Sequence, residues 1–405
     1  MTTLDAAIPL DENRHAVRNV AVLIYAQAIL GAQMPVIFIL GGLSGQLLAT
    51  NRALATLPVS MLVLISMFSA PVMSHIMGRY GRRTGFLLGS LAGFIGAAMQ
   101  AQALIIGSFS LLVAGAAVTG VYMSAQGFYR FAAADTASPA FRPKAISWVM
   151  AGGLLSAILG PELVKLTRDA LAPIPFAGAY ATAAALNLVG ALGFAFLSIP
   201  TPPRRAKGAS SGRPLWQIVK QPRVAVSMIC AMISYALMNL VMTSTPLAIV
   251  ACGFDPDDAA GVVQAHVLAM FAPSFFTGHL IARFGAPRVI LLGLLLLGGC
   301  VVVALQGVEL EQFYIALILL GVGWNFGFVG ATSMLAGTHT LEERAKVQGL
   351  NDFLVFGLVA VASFSSGALM DQMGWEAVNL AMVPFLVLAA LALLVLAISQ
   401  RRALA

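Results

Sequence analysis

Charge is what this chain has least of. Only 10% of its 405 residues are Asp, Glu, Lys or Arg, 60% are hydrophobic, and the mean hydropathy is +0.91. A water-soluble domain carries roughly a quarter of its residues as charges, so the composition excludes a protein that covers an apolar core with a polar surface. Cysteine is nearly absent: Cys230, Cys252 and Cys300 have no metal or redox spacing, and two of them lie inside apolar runs, so all three read as packing residues. The basic residues behind the net charge of +7 are scattered singly between apolar runs and cover no single face, which argues against nucleic acid as a partner. There is no phosphate-binding loop, Cys/His cluster or nucleophile elbow, and the loops are too short for a catalytic domain. An enzyme, a bound metal and a cofactor are therefore not expected. The polar first sixteen residues also lack the basic-then-apolar order and small-residue cleavage site of a signal peptide, so the first apolar run is expected to be retained.

What the chain has in abundance is apolar runs of bilayer length. About 20 residues of α-helix cross a membrane, and such runs fall at 17–43, 53–76, 84–106, 109–134, 145–166, 176–199, 224–251, 259–281, 287–306, 312–336, 347–370 and 376–398. This predicts an all-α membrane protein of twelve transmembrane helices. Six precede and six follow a polar linker that holds Pro202-Pro203, Arg204-Arg205 and a Gly/Ser-rich stretch. The expected division is a six-helix bundle at 1–199, a cytoplasmic linker at 200–223 and a second six-helix bundle at 224–405. Positive charge is retained on the cytoplasmic side of a bilayer. With both termini inside, 20 of the 23 Lys and Arg fall on the cytoplasmic ends and loops, leaving Arg52, Lys165 and Arg168 outside. Asp255, Asp257, Asp258, Glu309, Glu311, Asp371 and Glu376 fall on the external loops. The cytoplasmic (inner) membrane is the expected location.

The two halves echo each other. A basic hinge, Gly78-Arg79-Tyr80-Gly81-Arg82-Arg83, follows the second run; Arg283-Phe284-Gly285 with Arg288 follows the eighth, 204 positions later. Ser138 to Lys144 and Thr340 to Lys346 repeat likewise, with Arg142 and Arg344 202 apart. Parallel repeats place a pathway at their interface near the bilayer midplane.

These features resemble the major facilitator superfamily over essentially the whole length. Its signature between helices 2 and 3 is Gly-x-x-x-Asp-Arg-x-Gly-Arg-Arg. Here Arg79, Gly81, Arg82 and Arg83 match, Ser74 replaces the leading Gly and Gly78 replaces the Asp; the second copy keeps Gly278, Arg283 and Gly285, with Ala282 at the acidic position. The exporters of the family often carry an Arg where this chain has Ala116. Their helix-5 pattern is met only in part by Ser156, Gly160 and Pro161, with Val164 and Lys165 in place of its closing glycines. The resemblance implies two pseudo-symmetric six-helix bundles and a secondary carrier working by alternating access on a small organic solute. It also implies a cavity lined by the first and fourth helices of each half. The run from Gly321 to Gly357 resembles a bacterial subgroup, within which uptake of an aromatic vitamin of the riboflavin type is the specific expectation. Proton-coupled efflux and a non-transporting assembly or ligand-handling factor on the same fold are the alternatives.

Polar and aromatic stripes agree with that cavity. Tyr122, Gln126, Tyr129 and Arg130 follow i, i+4, i+7, i+8; Tyr235, Asn239 and Thr243 follow i, i+4, i+8; Trp324, Asn325 and Phe328 follow i, i+1, i+4 after Gly321; Tyr25 and Gln33 lie on the first run. Hydrogen-bonding groups are costly in lipid, so converging stripes predict a substrate pathway. Arg130 either pairs with an anion, from protein or substrate, or snorkels to the cytoplasm. Arg79, Arg82, Arg83, Arg283, Arg344 and Asp352 are candidates for a cytoplasmic gate, with Asp352 expected to pair with Arg79 or Arg344. His266, Glu162 and Asp352 are the candidates for proton coupling, and uncoupled diffusion stays open. The expected partners are a small-molecule substrate, the lipid bilayer and protons, and the protein is expected to be a monomer.

Overall fold

A computed structural model describes residues 10–50, 54, 57–201 and 212–402. Arg52, Arg204 and Arg205 lie outside the described residues, as does the stretch 202–211 of the expected linker. Every regular element described is helical. Eleven helical stretches among the described residues are long and apolar enough to cross a bilayer. They are α1 His15–Leu48, α2 Leu57–Tyr80, α3 Arg82–Ile106, α4 Phe109–Asp135, α5 Arg142–Thr167, α6 Ala177–Phe196, α7 Pro222–Ala251, α8 Gly261–Phe284, α9 Ala286–Ala304, α10 Leu310–Ala336 and the 57-residue stretch Arg344–Gln400.

That last stretch is two crossings. At about 1.5 Å per residue it would be about 85 Å long, nearly three bilayer cores. Gly374, at φ 81° and ψ −177°, turns the chain back. Immediately after the turn Trp375 packs against Phe313 at the start of α10, 5.2 Å between ring centroids. Residues 344–373 therefore form α11 and 375–400 form α12, and the total is the twelve helices expected from the apolar runs.

The repeat is visible in the packing. α3 lies against α4 and α6 as α9 lies against α10 and α12; α2 packs on α4 as α8 packs on α10; α1 packs on α5 as α7 packs on α11. The halves meet through α2 against α11 and α5 against α8, two contacts that exchange under the same pseudo-twofold. Both hinges turn on a glycine in one backbone conformation, Gly81 at φ 91°, ψ 161° and Gly285 at φ 84°, ψ 149°. A side chain is strained there, which is why both copies keep glycine although their charges differ. The outer faces of α9 and α12 expose Leu291, Leu295, Val302, Leu388, Leu391 and Val395, an apolar surface that only lipid satisfies.

Close approach within each half relies on small residues. A Cβ on Gly293 of α9 would stand 2.5 Å from the Gly327 amide nitrogen of α10, whereas one on Gly298 would meet nothing within 4 Å. Gly293→Ala is expected to lower unfolding stability by about 1–3 kcal/mol through overpacking. Gly298→Ala is expected to be neutral or to gain up to about 1 kcal/mol. Thermal denaturation of the two purified variants checks the contrast.

Candidate functional site

Three layers cross the seam between the halves, counted from the end that bears the hinges. The outermost is built on Asp135, the last residue of α4. Arg82, the first residue of α3, donates to its Oδ2 at 2.8 Å, and Arg344, the first residue of α11, donates to its Oδ1 at 3.0 Å. Arg82 also donates to Gln348 at 2.6 Å and lies over the Phe128 ring. All three charged side chains are buried, so each arginine needs the carboxylate to offset its desolvation. Beside them Ser74 donates to the Ala345 carbonyl, and a Cβ on Gly78 would come within 2.8 Å of the Ala345 side chain. An Asp at position 78 would not fit against α11, and Asp135 supplies the missing anion from α4.

The second layer lies about 12 Å further along α11, eight residues at about 1.5 Å each. Arg130 of α4 donates to Asp352 of α11 at 2.5 Å, and Asn351 donates to the same oxygen at 2.8 Å. Asp352 is fully buried. The Arg130 guanidinium stands 4.6 Å from the ring centroids of both Phe131 and Phe328, a geometry in which desolvated aromatic faces hold a cation. Gly127 makes room for the pair, since a Cβ there would lie 3.2 Å from Asp352 Oδ2.

The third layer is aromatic. Trp324 and Phe328 of α10 stack at 5.3 Å with 17° between their planes. Tyr235 of α7 meets both edge-on at 5.5 and 5.1 Å, Phe271 of α8 meets Trp324 at 5.9 Å, and Phe356 of α11 lies 6.4 Å from Tyr235. Trp324 Nε1 and Asn239 Oδ1 are buried without a hydrogen-bond partner. Such orphans are costly in a dry interior and mark where a bound molecule would supply the partner. Asn239 is half-buried and Thr243, whose hydroxyl bonds the Asn239 carbonyl at 2.7 Å, is exposed. Gln126 is half-buried on α4.

Among the described residues, the hydrogen bonds, ion pairs and ring contacts between the two bundles lie between the hinge end and the middle of the helices. They run from Ser74–Ala345 and Phe68–Phe353 to Ser147, which bonds the Ser274 carbonyl and the Gly278 amide. The seam is closed at the hinge end.

Several expected site residues sit elsewhere. Tyr25 donates to the Val189 carbonyl at 3.1 Å and packs over Gly193 of α6. Gln33 is buried between α3 and α6, donating to the Gly93 carbonyl at 3.4 Å and accepting from Asn187 at 2.5 Å. Tyr122 and Tyr129 join the core of the first bundle, Tyr129 against Phe86 at 4.8 Å and Phe194 at 5.9 Å. The helix of α4 is interrupted at Phe128, and neighbouring helical residues diverge by about 100°, so Tyr129 turns to the scaffold while Arg130 turns to the seam. Asn325 has its amide fully engaged by Met270, Ser274 and Thr277, binding α10 to α8.

The charged candidates divide as sharply. Asp352 pairs with Arg130 and not with Arg79 or Arg344 as expected, because Arg344 is held by Asp135 and Arg79 stacks on its neighbour Tyr80. Arg79, Arg83 and Arg283 are exposed. His266 is buried with Nδ1 2.8 Å from the Leu317 carbonyl, tying α8 to α10, and Glu162 pairs with Lys165 on the exposed far end of α5. Asp352 is the one proton-coupling candidate that lies on the seam.

Three features escaped the sequence reading: the bridging role of Asp135, the contributions of Phe271 and Phe356, and a clamp between the linker and the second bundle. A signal for the first was available, since Asp135 is the sole acid between Glu12 and Glu162 and thus the nearest anion for the first-half arginines. In the clamp Arg213 grips both oxygens of Glu343 at 2.7 Å, and Lys346 bonds the Arg213 carbonyl. The Arg213 hydrogen bonds hold the Glu343 carboxyl down at about 2.

Two predictions follow from these pairs. Arg130→Ala leaves Asp352 as an uncompensated buried charge and is expected to lower unfolding stability by about 3–5 kcal/mol, whereas Arg130→Ala with Asp352→Ala should recover much of the loss. Thermal unfolding of the single and double variants measures it. Because Glu343 is depressed in the folded state, its contribution is fully present above its ordinary pKa and is lost as pH falls toward about 2. Glu343→Gln should therefore melt below the parent at pH 7, with the gap narrowing progressively below about pH 4.5.

Comparison with known proteins agrees with the fold. The sequence profile of the Major Facilitator Superfamily matches residues 20–272 and 227–404. The riboflavin transporter RfnT of Brucella anthropi is 44% identical over 373 residues, 92% of this chain and 94% of that one. The uncharacterized transporter YdeG of Bacillus subtilis is 29% identical over 87% of this chain and 84% of its own. Among solved structures, the human organic anion transporter MFSD10 superposes with a TM-score of 0.76 at 16% identity, covering 93% of this chain and 99% of that one. The transporter FucP in its outward conformation gives 0.75 at 14% identity, covering 94% and 99%. Six and six helices, paired glycine hinges and a matching profile over nearly the full length place the chain in the Major Facilitator Superfamily of membrane transporters.

Proposed function

We propose that this protein carries riboflavin, or a closely related planar vitamin, into the cytoplasm by alternating access. The observation that carries the reading is the aromatic layer, Trp324 stacked on Phe328 with Tyr235 edge-on, next to the closed hinge end of the seam. Planar ring systems gain about 1–3 kcal/mol from such a face, and the unpartnered Trp324 Nε1 and Asn239 Oδ1 offer one donor and one acceptor to a heteroaromatic edge. The 44% identity to a riboflavin transporter supports the choice of solute.

In this reading the hinge end faces the cytoplasm with both termini, the bundles 1–199 and 224–405 rock about the linker 200–223, and one chain suffices. Arg130–Asp352 and Asp135 with its two arginines form the inner gate. Solute enters from the far side, settles on Trp324, and is released once those pairs part. Asp352 is the group through which a proton would couple, since neutralising it removes the anion that holds Arg130 across the seam.

Purified protein in proteoliposomes is expected to show saturable riboflavin uptake, read by riboflavin fluorescence. Trp324→Ala should lower uptake at limiting riboflavin about tenfold, the equivalent of one lost stacking contact. Tyr25→Phe, on the face turned to α6, should transport as the parent does. Uptake no greater than in protein-free vesicles would overturn the choice of solute.

A further inference from the structure

Beside the Asp135 layer of the inner gate lies a cleft of about 100 Å³ that the transport cycle as described does not use. Asp135 and Arg142 of the first bundle and His339, Thr340, Arg344 and Gln348 of the second contribute to its wall. That is room for a few waters or one phosphate-sized group. Thr340 and Leu341 at its edge are exposed, so it communicates with the hinge face.

The charges in and behind this wall do not balance. Three guanidiniums, of Arg82, Arg142 and Arg344, face one carboxylate, and both oxygens of Asp135 are already occupied by Arg82 and Arg344. Arg142 has no carboxylate within ion-pair distance among the described residues. Its one hydrogen bond there runs to the Ala336 carbonyl at 3.3 Å, and its Nε is buried without a partner. A half-buried guanidinium with unused donors beside the Thr340 hydroxyl is a donor set that binds a phosphate group; the His339 ring shapes the wall but is itself engaged, Nδ1 with the Thr340 carbonyl at 3.3 Å and Nε2 with Gln348 at 3.4 Å. Of the two acids on the same loop, Glu343 is consumed by Arg213, and Glu342 is exposed and does not line the cleft.

We infer that this cleft binds a phosphate-class anion, inorganic phosphate or a phosphate monoester, and that its occupancy holds the hinge end closed. The locking follows from the division of the wall. Arg142 belongs to one bundle and Thr340 and Arg344 to the other, so the site exists only while the seam is shut. A ligand that binds one of two states shifts the population toward that state. The inference does not depend on which solute crosses the membrane.

The test is thermal unfolding of the purified full chain against inorganic phosphate and, separately, phenyl phosphate, with ionic strength held constant by chloride. A saturable rise in melting temperature is expected, and Arg142→Gln should weaken the apparent affinity roughly tenfold, as the loss of a charge-assisted hydrogen bond does. A rise with both ligands means that the phosphate group suffices; a rise with phenyl phosphate alone means that the site takes an ester. A rise with neither, or one equal in Arg142→Gln, overturns the site. Should Arg142→Gln not fold, Arg142→Lys serves, with severalfold weaker binding expected and unchanged binding overturning the role of the guanidinium. The locking has its own readout: solute flux should fall as phosphate saturates the thermal shift, and flux indifferent to saturating phosphate overturns it.

Discussion

The constraint on which the rest depends is the cost of burying a guanidinium. Arg82, Arg130 and Arg344 are each withdrawn from water at or near the seam, and the desolvation of one such ion amounts to several kcal/mol even after relaxation. The offsetting carboxylates are two, Asp135 and Asp352, and in two of the three pairs the partners come from opposite bundles. Arg130 and Arg344 are thus paired only while the bundles touch at the hinge end, whereas Arg82 keeps Asp135 within its own bundle. Separating the bundles there does not strand the ions in lipid, because the same motion admits water between them. The balance between a dry paired seam and a wet unpaired one is what permits two states of comparable free energy, which a carrier needs.

The packing around those pairs is arranged so that motion is rigid. Within a bundle, glycines let backbones approach until no side chain fits, as at Gly293 against Gly327 and at Gly115 against Gly96. Between bundles the contacts are fewer and more polar, with Ser74 on Ala345 and Ser147 on Ser274 and Gly278. The identical glycine conformations at Gly81 and Gly285 mean that each bundle turns between its second and third helices in the same way. What differs between the copies is charge. Arg79 and Arg283 match, each exposed over the aromatic residue that follows it; the residue after the glycine is Arg82, buried against Asp135, in the first copy and Ala286 in the second, so of the two hinges only the first contributes an arginine to the latch.

The fold was legible because lipid imposes length and period on sequence. Twelve apolar runs, the linker and the repeated hinges are one-dimensional signals of a three-dimensional repeat, and the helices fall close to where the runs do. The site was legible in part. Trp324, Phe328 and Tyr235 converge as their stripes predict, since each points down one regular helix face. Tyr129 does not, because the interruption at Phe128 breaks the regularity that the stripe assumed. Gln33 and Asn325 are polar for a different reason: they join helices within a bundle, and sequence alone does not distinguish a polar group that bonds a neighbouring helix from one that awaits a solute. The partner of Asp352 was missed because pairing across a seam depends on helix rotation, which no spacing along one chain encodes.

Phe328 connects the aromatic layer to the buried pair. Its ring stacks on Trp324, and it also covers the Arg130 guanidinium at 4.6 Å, with Phe131 at the same distance. A desolvated cation over an aromatic face gains about 2 kcal/mol, comparable with what a stacked planar solute gains on Trp324. In the proposed cycle the two contacts are coupled through one ring: a solute that shifts Trp324 moves Phe328, and Arg130 loses part of the surface that offsets its desolvation. The pair with Asp352 then carries the whole of that cost, and the seam opens more readily. Binding energy at the aromatic layer reaches the gate by direct contact, through one side chain of α10.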